Sequence, residues 1–266
     1  MRITFALLAL LLSLPVAAAQ LNLELGERTR HWQTAELLAH PQASDIDVPA
    51  DVAYKRPMHY RAVPLAVLLE GVQPGEHLQA IALDGFAAEM PAAPLLANGP
   101  AQAWLAVEDS AKPWPALGKD KATAGPFYLV WTNPKASAIR PEQWPFQIAT
   151  IRRLAAVEQR FPALLPEASL ASDDPVRQGF ALYQQNCMAC HRLNGAGDAQ
   201  FGPDLNRPYN PTAYFQPAFL RKYIRDPQSL RQWSQAKMPG FAESVLSEKE
   251  LDALLAYLTH MSKRKG

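Results

Sequence analysis

Cys187-Met188-Ala189-Cys190-His191 is the stretch of this sequence whose residue types and spacing prescribe a reaction. Two thiols three residues apart on a bent helical turn can reach the two vinyl groups of one porphyrin and form thioethers. The histidine that follows then projects over the macrocycle and can ligate iron. This is the attachment pattern of c-type haem, and it predicts one covalent haem c held by Cys187 and Cys190. Two other chemistries use paired cysteines. A zinc site needs further Cys or His nearby, and the only later histidine is His260. A redox disulfide has no need of a histidine at that place. An imidazole and a thioether are the usual axial pair of an electron-transfer haem. Met188, Met238 and Met261 lie from the motif onward. Met188 sits between the cysteines, on the same side of the haem as His191, and Met261 falls at the frayed end of an expected helix. Met238 stands in the loop Lys237-Met238-Pro239-Gly240-Phe241, where Pro239 restricts it to an extended backbone that can hold a thioether inward. His191 and Met238 are the expected iron ligands.

Such a site needs elements to hold it. Residues 175–186 read as the helix leading into the motif. Ser172-Asp173-Asp174-Pro175 supplies a hydroxyl cap, two acids in the first turn and a proline within that turn. Residues 215–226 read as a helix ending at Pro227. Residues 247–259 read as an amphipathic helix with Ser247 and Glu250 as a capping box. The loop around Met238 is left free to cross the haem face.

Earlier in the chain the character changes. Of 24 prolines, most crowd between Pro41 and Pro145, which excludes a helical bundle there. Residues 63–70 read as a short helix that Gly71 would end. Residues 80–83 and 86–90 flank Asp84-Gly85, a two-residue hairpin signal. Residues 103–107 and 127–131 read as buried strands, rich in aromatic and β-branched side chains. Residues 148–160 read as a strand running into a helix. Two prolines in residues 161–166 forbid a regular helix and suggest a linker.

Residues 172–262 resemble a class I cytochrome c domain. The resemblance covers the helix at 175–186, the attachment motif, Gly202-Pro203-Asp204-Leu205, the Met238-Pro239 loop and the helix at 247–259. It implies that the first and last helices cross at a small residue against an aromatic, here Gly179 and Tyr257. It also implies that the carbonyl of Pro203 accepts a hydrogen bond from the His191 imidazole and fixes the ring. Trp233 matches an aromatic found near a haem propionate, and reads equally well as plain core.

Residues 28–155 are similar to the molybdopterin-binding domain of sulfite-oxidase-like enzymes. The matching stretches are Val63-Pro64-Leu65 through Leu69-Glu70, Asp84-Gly85-Phe86, Gly125-Pro126-Phe127-Tyr128-Leu129-Val130 and Trp144-Pro145-Phe146. Those enzymes hold molybdenum through a cysteine thiolate. Residues 45–60, where that ligand should fall, contain no cysteine, and the two cysteines of the chain are both in the haem motif. Molybdopterin is therefore not expected. The implied fold is a two-domain α+β chain. Residues 20–160 form an N-terminal mixed α/β domain of sulfite-oxidase-like type, 161–171 a linker, and 172–266 a C-terminal all-α cytochrome c domain.

Residues 1–19 read as a signal peptide: Arg2, an apolar stretch at 3–14, then Ala17-Ala18-Ala19 before Gln20. The apolar stretch is short of the roughly 20 residues that cross a bilayer, so export to the periplasm is expected rather than a membrane span. A formal net charge of +1 removes the usual electrostatic argument for nucleic-acid binding. Two cysteines exclude a disulfide scaffold and a four-cysteine iron–sulfur site. Met58-His59 offers two ligands, too few for copper. Glu108-Asp109 reads as a solvated turn. The expected function is a periplasmic electron carrier, not itself an enzyme, whose N-terminal domain docks a redox partner protein. The alternative is a haem–molybdenum dehydrogenase oxidising a small anion such as sulfite.

Overall fold

A computed structural model describes residues 19–264 apart from Arg28, Ala138 and Ser234. The expected export segment lies outside the described residues except for Ala19. Among the described residues the strands are β1 (Gln20–Glu24), β2 (Arg30–Gln33), β3 (Ser44–Val48), β4 (Met58–Pro64), β5 (His77–Ala82), β6 (Ala87–Pro91), β7 (Gln102–Val107), β8 (Phe127–Thr132) and β9 (Ile148–Leu154). They make two sheets, ordered β2-β1-β9-β5-β6 and β3-β4-β7-β8. Only the β1–β9 pairing is parallel. The helices are α1 (Thr34–Leu38), α2 (Leu65–Leu68), α3 (Ala92–Leu96), α4 (Val157–Arg160), α5 (Pro175–Asn186), α6 (Pro211–Tyr214), α7 (Pro217–Arg225), α8 (Pro227–Leu230) and α9 (Glu248–Ser262).

The strands follow from composition where the expectation was strongest. β8 is buried along nearly its whole length and pairs antiparallel with β7, setting Leu105 against Leu129 and Ala103 against Trp131. A run apolar on both faces suits a strand covered on both sides. The β5–β6 hairpin forms as expected, with a longer turn than two residues. Gly85 N–H donates to the Ala82 carbonyl (3.0 Å) and Ala82 N–H to the Phe86 carbonyl (2.8 Å). Gly85 takes a φ of +90°, which glycine tolerates and most residues do not. Residues 63–70 depart from the expected helix. Val63 and Pro64 pair with Leu105 and Trp104 of β7, so sheet pairing claims them and only Leu65–Leu68 is helical.

A second core begins where the sheets end. Val157 and Leu164 pack with Phe180 and Tyr183 of α5 and with Leu251, Leu254, Tyr257 and Leu258 of α9. The mixed-sheet domain and the helical domain thus have separate cores. Helix α5 starts at Pro175 as expected, but its cap is Asp174, whose Oδ1 accepts from Val176 N–H (2.8 Å), and not Ser172. Asp174 stands directly before the first helical residue, where a side chain can reach the second N–H. Helix α9 has the expected Ser247–Glu250 capping box and runs to Ser262, so Met261 is buried core rather than a frayed end.

A polar network joins the two domains. Arg160 Nη2 donates to both oxygens of Glu89 (2.7 Å each), and Arg160 Nη1 donates to Asp198 Oδ2 (2.8 Å). His77 Nε2 and Gln79 Nε2 also reach Glu89, at 2.5 and 2.6 Å. Burial alone would raise the Glu89 pKa, but hydrogen bonds from His77 and Arg160 outweigh it and hold the carboxyl below the ordinary value. A group depressed in the folded state stabilises the fold above its unfolded pKa, and that contribution is lost as pH falls through the folded value. Replacing Glu89 by Gln should cost about 3 kcal/mol near neutrality by leaving Arg160 underpaired. The gap to wild type, measured by denaturant titration across an acid series, should close as the pH drops below the ordinary carboxylate range. A gap constant with pH would rule out the carboxylate charge as its source.

Candidate functional site

Helix α5 delivers the reactive turn. At Gly179 an added Cβ would lie 2.0 Å from the Ala253 carbonyl oxygen and 2.6 Å from Tyr257 Cβ, so α5 and α9 touch backbone to backbone there. The contact expected between Gly179 and Tyr257 is thus present. Past Asn186 the chain keeps turning. The N–H groups of Cys190 and His191 both donate to the Cys187 carbonyl, at 3.0 and 2.8 Å. That bent turn gathers Cys187, Cys190 and His191. Both cysteines are free thiols. Burial pushes the Cys187 thiol up to about 12, with Glu142 and Cys190 adding to it, and burial raises Cys190 as well.

His191 is held from two sides. Its Nδ1 lies 2.8 Å from the Pro203 carbonyl, which can only accept, so Nδ1 carries the proton and Nε2 keeps its lone pair. Burial lowers the pKa of His191 and favours the neutral ring. On the ring's flank, a Cβ at Gly202 would stand 2.4 Å from Cε1 and 2.5 Å from Nδ1. Only glycine allows the backbone this close. Gly202 N–H donates to the Cys190 carbonyl (2.7 Å), and Tyr183 hydroxyl to the His191 carbonyl (2.8 Å).

The Met238 loop is anchored just beyond the methionine. Gly240 lies so close to α7 that a Cβ would come within 2.5 Å of the Arg225 carbonyl. Phe241 is buried and donates its N–H to the Ile224 carbonyl (3.0 Å). Met238 itself is half-buried against the helical core. Lys237 Nζ sits 5.2 Å from the centre of the Phe201 ring, which brings this loop beside the one that packs on His191. Met188 and Met261 are both core residues.

Several residues to which the sequence assigns no role of their own hold these loops. Asp204 accepts backbone N–H groups from Asn194, Gly195, Asn206 and Arg207, between 2.6 and 3.2 Å. Three buried asparagines form a ladder onto the end of α9. Asn206 Nδ2 donates to Asn194 Oδ1 (2.6 Å) and the Met261 carbonyl (2.8 Å), and Asn210 Nδ2 to the Leu258 carbonyl (3.0 Å). These tie the loops to the last turns of α9, adding a side-chain donor at the Leu258 carbonyl and at the Met261 carbonyl, which also accepts from Arg264 N–H (2.9 Å). Their irregular spacing left no local signal. Trp233 is 56% exposed with Arg231 over its ring at 4.8 Å, which excludes the plain-core reading. Met58 is buried and His59 exposed on alternating faces of β4, so they share no site. Glu108 is not a solvated turn: it accepts Trp114 N–H (2.7 Å) and the Thr123 hydroxyl (2.9 Å).

Residues 176–262 match the family model for cytochrome c. The C-terminal domain is a cytochrome c domain. Such a domain carries haem c and works by haem-based electron transfer. No curated protein matches the chain. Among solved structures the chain is similar to the sulfane dehydrogenase SoxCD from Paracoccus pantotrophus at 20% identity, with a TM-score of 0.35. The match covers 53% of this chain and 40% of that one, so the chain spans less than half the length of that relative. Among the described residues no helix is long and apolar enough to cross a membrane.

Within the cytochrome c domain, the contact between Gly202 and the imidazole yields a direct expectation. Gly202→Ala should force the loop off the ring, with an overpacking cost of about 1–3 kcal/mol. It should lower both the melting temperature and the yield of protein carrying covalent haem, read by haem absorbance per protein mass. A variant with full haem content and unchanged melting would refute the close packing.

Proposed function

We propose that this protein is an exported c-type cytochrome that passes single electrons through one covalent haem, its N-terminal domain docking a redox partner. The observation that carries the reading is the turn at residues 187–191, with two free thiols and a neutral imidazole whose Nδ1 is already committed to Pro203. These residues fit haem c. Cys187 and Cys190 would hold the porphyrin through thioethers, His191 would present Nε2 to the iron, and Met238 would ligate from the loop anchored on α7. Bound there, the haem supplies an iron that takes up and releases one electron. The chain's own contribution would be to hold both ligands and exclude others, so that no place is left at the metal for a substrate.

Molybdenum does not fit the N-terminal domain by the usual ligation. Both cysteines of the chain lie at the end of α5, and none lies in the sheets. A carboxylate or phenol replaces a soft thiolate poorly. The layout proposed is a leader at 1–19, the N-terminal unit at 20–160, a connecting stretch at 161–171 and the cytochrome unit at 172–266. The connecting stretch lies against α9, where Tyr257 hydroxyl donates to the Leu164 carbonyl (2.7 Å).

Replacing Met238 by Ala should abolish the weak near-infrared sulfur-to-iron band, lower the reduction potential and open the ferrous protein to carbon monoxide. A thioether favours ferrous iron relative to harder ligands. The haem should stay attached, since Cys187 and Cys190 are untouched. If Met238→Ala keeps its band and potential, another residue is the ligand. Intact mass and metal analysis of protein from molybdopterin-producing cells check the rest of the reading. A chain starting near Gln20 with one haem, one iron and negligible molybdenum is expected, whereas stoichiometric molybdenum would favour the dehydrogenase.

A further inference from the structure

The loop from Asp198 to Pro203 touches three things at once. Its first residue is bound to the N-terminal domain: Asp198 Oδ2 accepts from Arg160 Nη1 (2.8 Å) and Gln79 Nε2 (2.9 Å). Those partners are themselves fixed. Gln79 is fully buried and also takes Arg152 Nε on its Oε1 (2.8 Å), while Arg160 grips Glu89, whose side chain is 3% exposed. None of them can shift without stranding a buried polar group. In mid-loop, the Ala199 carbonyl accepts from Arg192 Nε (2.8 Å) and the Phe201 ring lies under the ammonium of Lys237, the residue that precedes Met238 in the chain. At the far end Gly202 packs on the His191 ring and the Pro203 carbonyl holds its Nδ1.

We propose that the N-terminal sheet acts on the haem through this loop, with Asp198 as the positioning residue that sets the orientation of His191 and seats the Met238 loop. The proposal rests on the reading of His191 and Met238 as iron ligands. It gives the N-terminal domain a role inside the electron-transfer unit, as the rigid strut against which the ligand loops are braced. A loop released from the sheet lets the imidazole turn and the Met238 loop draw back, and the weaker thioether contact is lost first. Apparent affinity for an added ligand scales with the fraction of protein in which Met238 has let go.

The test uses the full-length holoprotein with Asp198→Ala, Asp198→Asn and Arg140→Ala. Arg140 makes a separate contact between the domains, through Glu250 (2.5 Å) and the Val245 carbonyl. Asp198→Ala should weaken the near-infrared sulfur-to-iron band and make the ferrous protein bind carbon monoxide about tenfold more readily. Asp198→Asn keeps an acceptor oxygen without the charge and should fall between Asp198→Ala and wild type, so it carries the test if the alanine variant does not accumulate. Arg140→Ala should lower the melting temperature yet keep the band and the resistance to carbon monoxide. Unchanged band and carbon monoxide binding in the Asp198 variants overturn the proposal alone, as does an equal disturbance in Arg140→Ala. A wild-type protein lacking the band overturns the ligand reading and the proposal with it.

Discussion

Helix α5 can lie where it does only because residue 179 has no side chain. The Ala253 carbonyl of α9 occupies the space a Cβ would need, and any larger residue would drive the helices apart. From that contact the rest of the helical domain is laid out. Phe180 and Tyr183 of α5 stack near Tyr257 of α9, both at 5.6 Å between ring centres. The two tyrosines then spend their hydroxyls outward, Tyr183 on the His191 carbonyl and Tyr257 on the Leu164 carbonyl. One crossing therefore positions both the reactive turn and the stretch that connects it to the sheets. A spacer of one methyl group at Gly179 would be felt at His191.

Around the imidazole the same economy of contact recurs. A carbonyl accepts a hydrogen bond from its Nδ1–H, a glycine backbone packs against it, and burial favours the neutral form. The carbonyl and the glycine fix the plane of the ring, and burial outweighs the carbonyl's pull toward the charged form, which leaves Nε2 its lone pair. The thiols beside it are likewise kept protonated by burial. Glu142, from the sheet domain, is the exception: its Oε2 is buried with no hydrogen-bond partner among the described residues, and burial pushes its pKa up. Its negative potential adds to burial in raising the pKa of both thiols.

Elements carried by local chemistry were legible before any fold was seen. The Ser247–Glu250 box, the proline at the start of α5, the β7 and β8 strands and the Asp84-Gly85 turn each rest on interactions a few residues long. Residues 63–70 depart from the helix their sequence suggests because an apolar run of that length suits a helix or a buried strand, and β7 alongside it decides where one gives way to the other. Asp174 rather than Ser172 caps α5, and α9 runs a turn further than its sequence pattern suggests; boundaries of this kind depend on neighbours as much as on propensity.

The sequence alone marks Cys187, Cys190, His191 and the Met238 loop as the candidates, because the spacing within one turn is the chemical requirement for attaching haem and Pro239 acts on its immediate neighbour. What only the tertiary structure decided is how those residues are held. Gly202 against the His191 ring, the asparagine ladder onto α9 and the grip of Arg160 and Gln79 on Asp198 join residues between 11 and 119 positions apart. No local pattern encodes such contacts. They arise when two cores pack and their polar groups, cut off from water, must find one another.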